Sequence, residues 1–140
     1  MRSQNPLPPL VPRVFRKRLS AQRLAEISLV HHVNLDALMK GEDTALLNYA
    51  ASVLTWRNVA HRLGVGEAEI APQLELVESL LRRFAAHGKV MLDAADYKRA
   101  RDGVIVMDQI AAEADMATAA WAAERSSAEL RRRLSAIQRS

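Results

Sequence analysis

The sequence predicts an all-α protein: an antiparallel four-helix bundle with a long C-terminal helix and an extended proline-rich N-terminal arm. Three observations indicate this class: apolar residues recur at spacings of three and four, glycines separate the helical segments, and no alternating strand pattern occurs. The 140 residues, 49% hydrophobic and 26% charged, suffice for one domain with a single core. Short connections between the helices favour antiparallel neighbours.

The predicted arm comprises residues 1–19. Its prolines fix the backbone and disfavour a helix, and it carries apolar residues as well as basic ones. We expect the arm to be dispensable for folding and to increase the affinity for a partner. Its candidate partner-binding residues are Arg13, Arg16, Lys17 and Arg18.

The first three helices are predicted at about 20–40, 44–63 and 67–87. Ser20 can cap the first helix, and a glycine follows each of the three. The helix 44–63 has so wide an apolar arc that we expect neighbours to surround it. The polar residues in or beside that arc are predicted to form a polar cluster in the core: Arg57, Asn58 and His61.

The fourth helix is predicted to be the longest, from residue 94 to about 137. Gly103 costs about 1 kcal/mol relative to alanine within a helix, so a kink would fall there. The apolar stripe of this helix fades after Trp121. The residues beyond it are predicted to be exposed and to bind a partner: Arg131, Arg132 and Arg133.

Arg57 lies near the centre of the apolar arc of its helix, so its guanidinium must reach solvent or pair with a carboxylate. The predicted carboxylate is Asp108, because it lies at the edge of the buried stripe of the fourth helix. Asp115 and Asp36 are alternatives. Asp108 is therefore predicted to belong to the polar core.

The sequence argues against an enzyme and against a metal or cofactor. It has no Glu-x-x-His pair, which a carboxylate-bridged di-iron bundle needs, and the adjacent His31 and His32 point about 100° apart. It also lacks a Gly-x-Ser-x-Gly turn, a glycine-rich phosphate loop and any cysteine. No catalytic, cofactor-binding or metal-binding residue is therefore predicted.

Charge is unevenly distributed along the chain. Residues 1–24 carry six basic residues and no acidic one, residues 25–116 carry nine against fourteen, and residues 117–140 carry five against two. A basic arm and tail suit non-specific contact with nucleic acid, although solvated ends without a partner fit equally well. No apolar run is long enough to span a bilayer and no signal peptide is evident, so we expect no membrane contact and a cytoplasmic location.

Several positions between about 30 and 125 carry a resemblance to known proteins. They are Leu35-x-x-Leu38-x-x-Gly41, Thr44, Leu54, Asn58-Val59-Ala60 and Met107-Asp108-Gln109. In these positions the chain resembles small all-helical proteins of unknown function from proteobacterial phages and plasmids, some of them labelled Fis-type regulators. The resemblance implies a mobile-element accessory protein without catalytic residues, in a setting where small inhibitors of host machinery are common.

Two functions are predicted from these observations. The first is that of a non-enzymatic accessory protein that binds and occludes a larger macromolecular partner, a protein or ribonucleoprotein complex such as a host defence complex. The alternative is a DNA- or RNA-associated accessory factor or regulator that uses the basic arm and tail. The sequence is also compatible with a homo-oligomer, because the long fourth helix could extend past the bundle and pair with another chain.

Overall fold

The computed structural model describes residues 17–42 and 44–139, and within these ranges the protein is all-helical, as the sequence predicts. Five helices follow one another there: α1 Ala21–Met39, α2 Ala45–Leu63, α3 Glu67–His87, α4 Ala94–Ala111 and α5 Met116–Arg139. The first three begin and end within one residue of the predicted bounds. None of these helices combines the length and hydrophobicity needed to cross a membrane.

The predicted continuous helix 94–137 is wrong, because the chain leaves the helix at Ala112 and starts a new one after Asp115. The Asp115 side chain accepts a hydrogen bond from the amide of Thr118 (2.7 Å) and so caps the first turn of α5. The Ala114 carbonyl accepts from the amide of Leu19 (3.2 Å). At the break, the Asp115 side chain and the amide of Leu19 therefore form hydrogen bonds in place of the missing helical ones.

Gly103 lies inside α4, and the helix continues through it. A Cβ atom at this position would lie 2.4 Å from Oε1 of Gln73 on α3. Gln73 is buried, and its Oε1 accepts a hydrogen bond from the hydroxyl of Tyr49 on α2 (3.4 Å). The glycine therefore permits a close approach of α3 and α4 and does not kink the helix.

The helix α2 lies at the centre of the molecule, as its wide apolar arc predicts. It contacts α1, α3, α4 and α5, and Val53, Leu54, Val59 and Ala60 on it are fully buried. The outer helices contact one another in the order α5, α3, α4 and α1. Instead of the predicted four-helix bundle, the described helices thus form an incomplete ring of four around a fifth. The ring is open between α1 and α5, whose backbones do not approach each other closely.

The helix α5 packs against the core along most of its length, whereas the sequence predicted that the stripe fades after Trp121. Ala122 and Ser126 are buried, and partly buried side chains continue the contact at Leu130, Leu134 and Ile137. Because α5 is a separate helix that begins at Met116, its buried face does not coincide with the face obtained by extending the apolar spacing of α4 through the break.

Candidate functional site: two clefts beside α5

The opening in the ring forms a groove of about 530 Å³, here called the α1–α5 groove. Its floor is α2, where the indole of Trp56 is buried beside the half-buried Thr55. Ile27 and Val30 of α1 form one wall and Ala123 of α5 contributes to the other. The groove is therefore largely apolar, and it is the place where α2 is left uncovered by the described helices.

The outer side of α1 also carries an exposed apolar patch, which lies among polar side chains such as Glu26 and Asp36. Leu29, Val30 and Val33 are 64%, 54% and 57% exposed, whereas Leu35 and Leu38 on the inner side are buried. An exposed apolar patch of this kind is typical of protein-binding surfaces. Val30 belongs to both the outer side and the groove, so the two form one continuous surface.

A hydrogen-bonded network beneath the groove connects α1, α2 and α4. The Trp56 Nε1–H donates to Nε2 of His31 (2.9 Å), so the neutral ring carries its proton on Nδ1 and donates it to Oδ1 of Asp108 (2.8 Å). Oδ2 of Asp108 accepts from the hydroxyl of Ser28 (2.8 Å). Asp108 is therefore half-buried, but its partners are His31 and Ser28 and not the predicted Arg57.

His31 makes the stability of the protein dependent on pH. Burial lowers the pKa of His31 from its ordinary value of 6.5, and the hydrogen bond to Asp108 offsets only part of this shift. Because the folded-state pKa is the lower one, the unfolded chain binds more protons as the pH falls below 6.5. The contribution of neutral His31 to stability is thus complete above pH 6.5 and is lost as the pH falls toward the folded-state pKa.

We therefore expect the free energy of unfolding, measured with urea, to decrease between pH 7 and pH 5, and to decrease less in His31→Gln. Asp96 and Glu129 also have lowered pKa values, but their contributions are lost only below their ordinary values of 3.8 and 4.5. His61→Gln is the control, because this side chain is 78% exposed. Equal slopes in the wild type and His31→Gln would contradict the assignment.

A second cleft, of about 830 Å³, lies on the other side of α5, between α5, α2 and α3. It is here called the basic cleft. Its lining contains two acidic residues, Glu67 and Glu129. Its basic lining residues are Arg57, His61, Arg62, Arg125 and Arg132. The structure thus brings Arg132, a candidate partner-binding residue, together with the predicted polar cluster of α2.

Arg57 pairs with Glu129 of α5, and not with Asp108 or the two alternatives Asp115 and Asp36. Glu129 also accepts a hydrogen bond from Arg133 (3.2 Å). Burial raises the pKa of Glu129, but the two guanidinium groups outweigh it and hold the pKa below its ordinary value. The partly buried arginine and its interhelical carboxylate were predicted, and only the choice of carboxylate was wrong.

The other two residues of the predicted polar cluster differ in burial. Asn58 is buried and donates to the hydroxyl of Ser126 (3.0 Å), which donates to the carbonyl of Ala122 (2.6 Å). His61 is exposed and pairs with Glu67 at 2.9 Å. Its assignment to the polar core is wrong, because it lies in the last turn of α2 and faces the mouth of the basic cleft.

The candidate basic residues lie toward opposite ends of α5. Lys17 and Arg18 are exposed, and Arg18 pairs with Glu113 (3.4 Å) just before α5 begins. Arg131 and Arg132 are exposed near the other end, about 24 Å along the helix at 1.5 Å per residue. The described residues of the arm and tail therefore do not form one basic patch.

Of the three remaining candidates from the sequence, one is paired and two lie outside the described residues. Arg133 pairs with Glu78 of α3 and with Glu129, so it ties α5 to the bundle. Arg13 and Arg16 lie outside the described residues.

The sequence assigned no role to the groove residues Val30 and Ala123. One indication was present: Leu29, Val30 and Val33 are apolar but lie off the buried stripe of α1, so the fold does not need them to be apolar. The opening itself is not visible in the sequence, because it depends on which helices touch.

Among residues 17–42 and 44–139, no group of three or more histidine, aspartate or glutamate side chains is arranged to hold a metal ion. Comparison of the chain with models of protein families, with curated proteins and with solved structures finds no match. The resemblance to phage and plasmid proteins stays a prediction.

Proposed function

We propose that the protein is a non-enzymatic accessory protein that binds and occludes a larger protein or ribonucleoprotein complex in the cytoplasm through the α1–α5 groove. Such an activity suits an inhibitor of a host complex, for example a defence complex. The observation that carries the proposal is the incomplete ring around α2, where apolar side chains of three helices remain open to solvent. Burying them against a partner is favourable by about 25 cal/mol per Å² of apolar surface.

The groove fits an amphipathic helix of the partner. Two helices flank it and a third forms its floor, so an added helix would complete the ring by ordinary helix packing. The small Ala51 and Ala123 allow close approach, while Ile27 and Val30 provide apolar contact. Arg23 and Glu26 at the rim pair with each other at 3.2 Å, so apolar burial and not charge would drive docking.

A large partner fits this surface better than a small ligand. A stable interface buries about 800 Å² on each partner, which is more than one helix in the groove provides. The exposed Leu29 and Val33 extend the apolar surface outward from Val30 over α1. A partner that fills the groove and also covers the outer side of α1 would bury the whole surface.

Affinity purification from the host, followed by mass spectrometry, tests the proposal with one pair of variants. Val30→Lys places a charge in the groove and is expected to reduce capture of the complex at least about tenfold. Ile105→Lys is the matched control, because Ile105 is 52% exposed on α4, away from the groove. Deleting residues 1–16 of the predicted arm 1–19 in the same experiment tests its predicted contribution, and Leu19 is kept because it is buried in the core.

The wild type and Ile105→Lys should capture the same complex, and cross-links to it should fall on the groove side of α5, near Ala123 and Ser127. Undiminished capture by Val30→Lys would contradict the proposal, as would cross-links confined to α4. The folded state of each variant is checked by its melting temperature, since an exposed lysine should change it little.

The alternative function, association with DNA or RNA, is supported by a different observation, the excess of arginine in the basic cleft. The two functions do not compete for the same surface, because the cleft and the groove lie on opposite sides of α5. A ribonucleoprotein partner would engage both.

A further inference from the structure

Exposed arginines form a row along α5 beside the basic cleft. Arg125, Arg132 and Arg139 recur every seven residues, which returns them to nearly the same side of the helix at intervals of about 10.5 Å. All three are exposed, and the exposed Arg131 lies next to Arg132. The row is about 21 Å long and presents guanidinium groups at regular intervals.

The side chains between the arginines are small. Ala128 and Ser135 lie with Arg131, Arg132 and Arg139 around a shallow depression of about 520 Å³. A bulky ligand backbone can therefore approach the helix closely between the guanidinium groups. Among the residues that the structure describes, no large apolar side chain lines this depression, so they provide no anchor of the kind that a protein segment usually needs.

The carboxylates of the neighbouring cleft are outnumbered by arginines. Glu129 accepts from both Arg57 and Arg133, and Glu67 is hydrogen-bonded to His61 at 2.9 Å. Among the described residues, four arginines and two carboxylates line the cleft, so the acidic residues do not cancel the positive charge of the row. An anion that approaches the row meets an excess of positive charge.

One face of the Trp121 ring in the cleft is already covered by an arginine side chain. The Arg125 guanidinium lies over the ring of Trp121, 5.7 Å from its centroid. Single-strand binding proteins that recognise bases usually stack them on exposed aromatic rings. The chemistry present therefore suits the charged backbone of a nucleic acid and not its bases.

We infer that the arginine row of α5 binds the phosphodiester backbone of nucleic acid without regard to base sequence. This site is separate from the α1–α5 groove and goes beyond the proposed protein binding. The row matches about six base pairs of duplex DNA at 3.4 Å each, and guanidinium groups bind phosphate oxygens in pairs of hydrogen bonds. Because the arginines of the row are evenly spaced along a straight helix, the row suits a polyanion whose negative charges are also evenly spaced.

Fluorescence anisotropy with labelled 20-nucleotide DNA, single-stranded and duplex, tests the inference on the full chain. For three phosphate contacts, affinity for the duplex should fall about 40-fold between 50 and 200 mM salt. Two duplexes of unrelated sequence should bind equally well. Absence of binding at 50 mM salt, or a strong preference for one sequence, would overturn the inference.

A pair of charge variants locates the site. Arg132→Gln with Arg139→Gln should weaken binding for every sequence and lower the slope of log affinity against log salt by about 2. Lys89→Gln with Arg99→Gln removes the same charge from exposed positions before and on α4, which does not contact α5, and should leave the slope unchanged. Equal losses in both double variants would overturn the assignment to the row.

A polyglutamate peptide serves as the competing probe. It should displace the labelled DNA only at concentrations far above those of unlabelled DNA. Displacement at equal concentration would overturn the inference in favour of an acidic protein segment. Val30→Lys should bind DNA like the wild type, so the result for this site is independent of the result for the groove.

Discussion

Trp56→Ala should lower the free energy of unfolding by about 4 kcal/mol, as expected for truncating a buried tryptophan. The side chain is 5% exposed, forms the floor of the α1–α5 groove and donates to His31. Its removal leaves a cavity against the central helix and an unsatisfied ring nitrogen at once. Urea denaturation at pH 7 measures the effect, and a loss below about 1 kcal/mol would contradict it.

Trp56→Phe separates the hydrogen bond from the packing. The phenyl ring retains most of the buried surface but has no N–H to donate, so Nε2 of His31 is left without a donor at a cost of about 1–2 kcal/mol. That nitrogen is then free to accept a proton, and stability should depend less on pH below 6.5 than in the wild type. Trp121→Phe is the control, because Trp121 is only partly buried and makes no contact with His31.

Glu129→Leu is the second change with a large expected effect, a loss of about 3 kcal/mol. It removes the carboxylate that both Arg57 and Arg133 bind, and breaking a largely buried ion pair on one side costs about this much. Arg57→Met should cost less, about 2 kcal/mol, because Arg133 still contacts Glu129.

The double variant Arg57→Met with Glu129→Leu should recover much of the summed loss, since replacing both charges by apolar groups costs little. Arg57→Met with Asp108→Leu is the matched control and should show additive losses, because Asp108 belongs to the His31 network. The four free energies in each cycle come from urea denaturation. Additivity in the first cycle, or coupling above about 0.5 kcal/mol in the second, would contradict the observed pairing.

The helices and the central position of α2 were predictable because they depend on local patterns. Apolar spacing along residues 20–40, the end glycines and the wide apolar arc of 44–63 act within one helix. The break before α5 was not predictable in this way. It contains alanine and acidic residues and neither glycine nor proline, and it is held by the contact of Leu19 with Ala114.

The wrong prediction of a continuous helix 94–137 explains the wrong choice of a carboxylate partner for Arg57. A continuous helix from residue 94 places Asp108 and Asp115 on the side where a partner for Arg57 was sought. Because α5 is a separate helix, it lies against a different side of α2, and there Glu129 pairs with the guanidinium of Arg57. The need for a partner could be read from the sequence, whereas its identity depends on how two helices are placed in space.

The position of α2 at the centre has a consequence for synthesis. The helix that covers it most extensively, α5, is translated long after it: Asn58 and Ser126, which are hydrogen-bonded, are 68 residues apart. Through that interval the nascent chain carries a central helix with one apolar side uncovered, which is the kind of surface that chaperones bind. We therefore expect this protein to complete its folding only after translation has passed Arg139, and nascent chains stalled before Met116 to require a chaperone to stay in solution.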